Sequence, residues 1–317
     1  MAKIAVELER ALHARRITGE PGCATGTTLA EGDGWRVTDV ICTSGPDDRP
    51  FEERHSSASI SIVAAGSFEY RSHSPADLLT PGSFLLGTPD QLYQCAHHHA
   101  SGDRCIAFQF APEFFETIVE SPPRFRAQRL PPLREAAPLV ARAFAGLAME
   151  RGRPARSRRA SRSATIGAHD PPWEELALEI AAKAIHLAND INLDHHHPPP
   201  TAVARVTQAV RTLEESPASL RELANHARLS PYHFLRTFTR ITGVTPHQFA
   251  LRMRLRDAAV RLATDDARVI DVAFDSGFGD VSNFNRAFRA EFGVSPRAYR
   301  NVLTTTAGPT SSRARRA

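Results

Sequence analysis

The eleven residues from Cys95 to Cys105, CAHHHASGDRC, hold the densest set of soft donor atoms in the chain. In an extended strand, side chains two positions apart share a face, so Cys95, His97 and His99 would project together while His98 points away. Ser101-Gly102-Asp103 has turn chemistry and would return Cys105 on the neighbouring strand. Two thiolates and two imidazoles suit tetrahedral Zn, or another soft metal such as Fe. Two other uses of the same residues stay open. Cys95 and Cys105 across a hairpin could form a redox pair, or both could simply pack in a core. The short C-x2-C knuckle of most zinc sites is absent, and Asp103 sits on the expected turn rather than beside the donors as a general base. His55 is a further candidate ligand, or a histidine at the rim.

A second set of chemistry-bearing residues is written twice. Ser230 to Pro246 read SPYHFLRTFTRITGVTP, and Asp280 to Pro296 read DVSNFNRAFRAEFGVSP. Phe234, Arg236, Phe238, Gly243 and Pro246 return fifty positions later as Phe284, Arg286, Phe288, Gly293 and Pro296. Helical spacing turns the phenylalanines inward. Tyr232, His233, Arg236, Thr239 and Arg240 are left outside in the first copy, and Ser282, Asn285, Arg286 and Arg289 in the second. Arginine is the side chain best suited to bidentate contact with guanine. Each copy follows a short amphipathic segment, LRELANHARL from Leu220 or IDVAFDSGFG from Ile270. Helix, tight turn and helix, repeated, predict two DNA-reading units. HQFALRMRLRDAAVRLATDD, with Leu251, Leu255, Ala259 and Leu262 along one side, would hold them apart. Two such helices could enter successive major grooves about 34 Å apart.

The elements that carry these residues divide the chain. From Trp35 to Phe110 the runs WRVTDVIC, SISIVAAG, SFEYRS, SFLLGTP and CIAFQF alternate with Gly/Pro punctuation, which predicts a small β-barrel or jelly roll in residues 1–130. Residues 113–120 read as a short helix. In 131–192 two amphipathic helices each open on paired prolines; they would either dimerise or pack on their own barrel. Between them, 151–170 reads as a disordered Arg/Ser-rich loop. Residues 193–202, with His195, His196, His197 and three prolines, read as a linker, 203–303 as the helical DNA-reading domain and 304–317 as a frayed tail. The fold class is therefore multidomain α+β, with two helix-turn-helix units in the C-terminal all-α part.

Charge agrees with this division. Net charge is +4, yet residues 1–110 hold 9 basic and 14 acidic side chains while 201–300 hold 15 basic and 10 acidic. The repeat region is the basic pole, as phosphate contact requires. No apolar run approaches a membrane span, and the first residues, MAKIAVELERALHARR, are unlike a secretory signal. A cytoplasmic location is expected, and there the four cysteines would be thiols or metal ligands. No Ser-His-Asp, phosphate-loop or dinucleotide fingerprint appears, so no enzymatic role is expected.

Residues 203–300 resemble the DNA-binding domain of the AraC/XylS family of bacterial transcription regulators. The likeness is carried by LRELA, SPYHFLRTF, GVTP, IDVAFDSGFGDVSNFNRAF and FGVSPRAYR. It implies seven helices with two helix-turn-helix units. It also implies base contacts from Tyr232, Arg236 and Thr239 in one helix, and from Ser282, Asn285 and Arg286 in the other. Leu235 departs from the pattern, standing where a polar base-reading residue is common. The β-rich half resembles the cupin-like domain often found in this family. Together they imply promoter DNA, a homodimer, RNA polymerase and an unidentified effector as partners. The competing reading is a metal-dependent cupin enzyme fused to a DNA-targeting module.

Overall fold

The computed structural model of the chain describes residues 2–72, 76–98, 102–118, 125, 127–152, 173–191 and 198–305. His99, nearly all of the Arg/Ser-rich loop, His195 to His197 and the tail beyond 305 lie outside the described residues.

A helix, α1 (Ala2–Thr18), precedes the strands β1 (Ala24–Gly32), β2 (Trp35–Cys42), β3 (Phe51–Arg54), β4 (Ala58–Gly66) and β5 (Phe68–Arg71). There follow β6 (Asp77–Leu79), β7 (Phe84–Gly87), β8 (Leu92–Ala96) and β9 (Asp103–Phe110), then α2 (Pro112–Glu116), β10 (Arg129–Leu130), α3 (Ala137–Gly152) and α4 (Trp173–Asp190). Two antiparallel sheets result, ordered β1-β2-β9-β4-β7-β10 and β3-β8-β5-β6. They face each other across a lumen lined from both sheets. Period-two alternation sorts β9 between two environments. Ile106, Phe108 and Phe110 look outward into a core shared with Trp173, Leu176 and Ile180 of α4. Asp103, Cys105, Ala107 and Gln109 look inward onto the lumen.

Arg104 is fully buried and grips Asp39 through Nε and Nη2, at 2.8 and 3.0 Å, while Nη1 donates to the Ile4 carbonyl at 2.5 Å. One guanidinium thereby ties α1 to the sheet. Ile4, Leu8 and Leu12, spaced by four, supply the apolar stripe of that helix.

Seven helices complete the described chain: α5 (Pro200–Glu215), α6 (Leu220–His226), α7 (Pro231–Thr242), α8 (Pro246–Thr264), α9 (Val269–Asp275), α10 (Val281–Phe292) and α11 (Pro296–Thr305). The first of them starts inside the stretch read as a linker. Helix α8 is the spine: Phe249 and Met253 belong to the core around α6 and α7, whereas Leu255, Ala258, Ala259 and Leu262 belong to that around α9 and α10.

The two parts of the chain are packed together. Helix α3 is covered on both sides: Leu139, Val140 and Phe144 enter the core under the barrel, and Ala137 and Ala141 enter the core of the second helix-turn-helix. Helix α4 lays Trp173, Leu176, Ile180 and Leu187 on the barrel. The apolar stripes of both helices are thus used within the chain, by the barrel and by α8. Polar ties add to the seam. Gly66 donates its N–H to Glu214 Oε1 at 3.0 Å, Arg256 donates to the Pro81 carbonyl at 3.0 Å, and Arg252 donates to the Pro132 carbonyl at 2.5 Å.

Candidate nucleic-acid interface

Each helix-turn-helix is built by local chemistry. Ser219 and Glu222 form a capping box at the start of α6. Ser230 accepts from the His233 N–H at 3.3 Å and Pro231 takes the first position of α7. In the second unit Asp280 caps α10 by accepting from the Asn283 N–H at 2.7 Å. Such caps contribute about 1 kcal/mol each. Both recognition helices end on a left-handed glycine, Gly243 at φ 80° and Gly293 at φ 79°. Thr245 and Gln248 then form the capping box that starts α8. The turns differ in one respect. Arg228 takes positive φ in the first and Gly277 in the second, where Gly279 adds a residue before the cap.

Phe234, Phe238, Phe284 and Phe288 are fully buried, which fixes the opposite faces outward. Tyr232, His233, Arg236 and Arg240 are exposed on α7, and Ser282, Asn285, Arg286 and Arg289 on α10, with the barrel and α3 packed against the other side. Thr239 is half-buried and its hydroxyl is shielded from solvent, without a partner among the described residues, so it does not present that group outward. Leu235 lines a groove with Leu220, Leu223, Ala250 and Met253. Arg236 lies over the Tyr232 ring, 5.8 Å from its centroid, and Arg286 donates to Asn283 Oδ1 at 3.1 Å. Among the described residues none of Arg236, Arg240, Arg286 and Arg289 is ion-paired with a carboxylate. Their charge is open to an external anion.

The donors expected at residues 95–105 are arranged differently from expectation. Strands β8 and β9 belong to opposite sheets, so Cys95 and Cys105 face each other across the lumen rather than along a hairpin. Gly102, immediately before β9, has φ 73°. His97 is buried just past β8 and donates from Nε2 to Asp103 Oδ1 at 2.7 Å. Cys105 Sγ donates to Asp103 Oδ2 at 3.3 Å. Burial alone would lower the His97 pKa, but the Asp103 carboxylate and Cys42 outweigh it and lift it to about 9. Burial pushes the Cys95 and Cys105 thiols well above their usual range. Sequence reasoning missed two members of this cluster, Cys42 and Asp103. His55 stands elsewhere on the lumen, bonded to Tyr70 at 2.8 Å and stacked on Tyr93, and burial lowers its pKa to about 4. The lumen cavity holds about 290 Å³.

Two helix-turn-helix units on one connecting helix define a tandem helix-turn-helix DNA-binding domain. A sequence profile described as "Helix-turn-helix domain" matches residues 223–301. The HTH-type transcriptional activator AarP of Providencia stuartii is 34% identical over 82 residues, 26% of this chain and 61% of that protein. The chain thus spans less than two thirds of AarP. The transcriptional activator NphR of a Rhodococcus species is 28% identical over 258 residues, 76% of this chain and 69% of that one. Among solved structures, the DNA-binding domain of AdpA in complex with a target DNA is 31% identical, covering 32% of this chain and 94% of that domain, with a TM-score of 0.30. Residues 223–301 thus form a helix-turn-helix domain of the AraC/XylS type. No described helix is long and apolar enough to cross a membrane.

Proposed function

We propose that this protein is a sequence-specific transcription regulator that reads two successive major grooves with α7 and α10, under the control of a signal received by its β domain. One observation carries the reading. Two capped helices, fixed to one spine, turn Arg236 and Arg286 outward from equivalent places, unpaired by any carboxylate of the described residues. Tyr232, His233, Arg240, Ser282, Asn285 and Arg289 complete the two faces, and Thr239 borders the first. The packing of α3 on α8 supports a route for the signal, because movement of α3 would be felt in the core of the second reading unit. A second copy and RNA polymerase are the expected partners, in the cytoplasm. Selection of duplexes from a random pool by the full chain should yield a bipartite motif spaced by about one helical turn. Enrichment of no motif would overturn the reading.

A further inference from the structure

We propose that the end of the barrel lumen is a divalent-metal site, in which Cys42, His97 and Asp103 are the donors and Cys105 stands beside them as a second sulfur. The donor atoms of Cys42, His97 and Asp103 lie within 4.8 Å of one another. Zn–S bonds of about 2.3 Å and Zn–N or Zn–O bonds of about 2.0–2.2 Å place tetrahedral donors about 3–4 Å apart, so small side-chain shifts would seat an ion among them. Register explains the gathering. Cys42 ends β2 directly opposite Asp103 at the start of β9, and Cys105, two residues on, shares the lumen face with Asp103. His97 arrives from the other sheet. Cys42 and Asp103 on paired strand ends therefore meet a donor that directly follows a strand of the opposite sheet.

Burial makes the cluster unusual as mere packing. Cys42 and His97 are each 4% exposed, and Asp103 and Cys105 each 5%. Among the described residues, His97 Nδ1 is buried with no hydrogen-bond partner. An imidazole, a carboxylate and thiols placed together away from water are compensated well by a cation. A sulfur, nitrogen and oxygen set favours Zn²⁺ over the hard cations Mg²⁺ and Ca²⁺. On binding, Cys42 releases its thiol proton and His97 gives up the proton it shares with Asp103, both to solvent. Cys95 lies across the lumen and is outside the donor group. The site itself does not depend on the regulator reading; only the step from occupancy to promoter control rests on it.

The test uses full-length protein, purified without a tag and stripped of metal, titrated with Co²⁺. The expected result is one equivalent bound, with thiolate-to-cobalt charge transfer in the near ultraviolet, tetrahedral ligand-field bands in the visible, and displacement by Zn²⁺. Cys42→Ser and His97→Asn should weaken binding by more than the roughly 10–100-fold that loss of an outer partner costs. Cys105→Ser should reduce the charge-transfer intensity, and Cys23→Ser, at an exposed thiol, should change nothing. Because a buried variant can misfold, alkylation mapping of the wild type is run in parallel. Zn²⁺ should protect Cys42 and leave Cys23 reactive. Absence of charge transfer and of protection in the wild type would overturn the proposal, as would a cobalt spectrum unchanged in Cys42→Ser. DNA binding is measured separately on the stripped protein, so failure of the metal site and failure of the regulator reading are told apart.

Discussion

Replacing the four outward arginines one at a time separates base reading from phosphate contact. Arg236, Arg240, Arg286 and Arg289 are exposed on the two recognition helices. If all four neutralised phosphates, log K against log salt would fall with a slope of about −3.6, an affinity loss of about 150-fold between 50 and 200 mM. Arg236 and Arg286 are steadied by Tyr232 and Asn283 and sit nearer the helix N-termini, the ends that meet base edges. Arg236→Ala and Arg286→Ala should therefore lose about 1–3 kcal/mol on the selected duplex, roughly 5–150-fold, with the slope unchanged. Arg240→Ala and Arg289→Ala should weaken every duplex alike and flatten the slope by about 0.9 each. Fluorescence anisotropy over a salt series, on selected and scrambled duplexes, reads both quantities. Equal flattening by all four variants, with no selective loss at the selected site, would refute the assignment.

Phe234→Ala and Phe284→Ala, at fully buried positions, should each lower unfolding free energy by about 3–5 kcal/mol in urea titration, and a loss below about 1 kcal/mol would contradict the packing. Ala141→Glu places a charge against Leu255, Ala258 and Leu262, at a cost of about 3–5 kcal/mol if it stays buried. The α3–α8 seam should open instead, seen as a larger radius of gyration in solution scattering; an unchanged radius with unchanged stability would count against the seam. Glu214 is partly buried, and burial raises its pKa from 4.5 to about 7 despite the Gly66 N–H and Arg256. Its contribution to stability is therefore full below about pH 4.5 and declines as pH rises through about 7. Glu214→Gln should flatten that decline in thermal unfolding between pH 5 and 8, and identical pH profiles would refute the assignment.

Much of the reading half was legible because its signals are local. A phenylalanine every four residues, a cap four residues before the first and a glycine after the last specify helix, face and end without any distant partner. β2 was legible as WRVTDVIC for the same reason. The barrel cluster was not. Turn chemistry at Ser101-Gly102-Asp103 reads the same for a hairpin and for an arch between opposing sheets, and only sheet membership decides between them. Cys42 is joined to Asp103 by β2–β9 register, which no local pattern encodes. The seam was hidden for another reason. Ala137 and Ala141 look like ordinary helix formers, yet their small size is what lets α8 approach α3. Helix α1 shows its apolar stripe in Ile4, Leu8 and Leu12, yet nothing local says that the sheet is its partner.

The most direct test of simultaneous reading is hydroxyl-radical footprinting of the full chain on its selected duplex, before and after half a helical turn is inserted at the centre. The account predicts two protected segments on one face of the DNA, about 10–10.5 base pairs apart. The insertion should lower affinity to that of scrambled DNA. A single protected segment, or binding that survives the insertion unchanged, would contradict the claim that α7 and α10 occupy successive major grooves together.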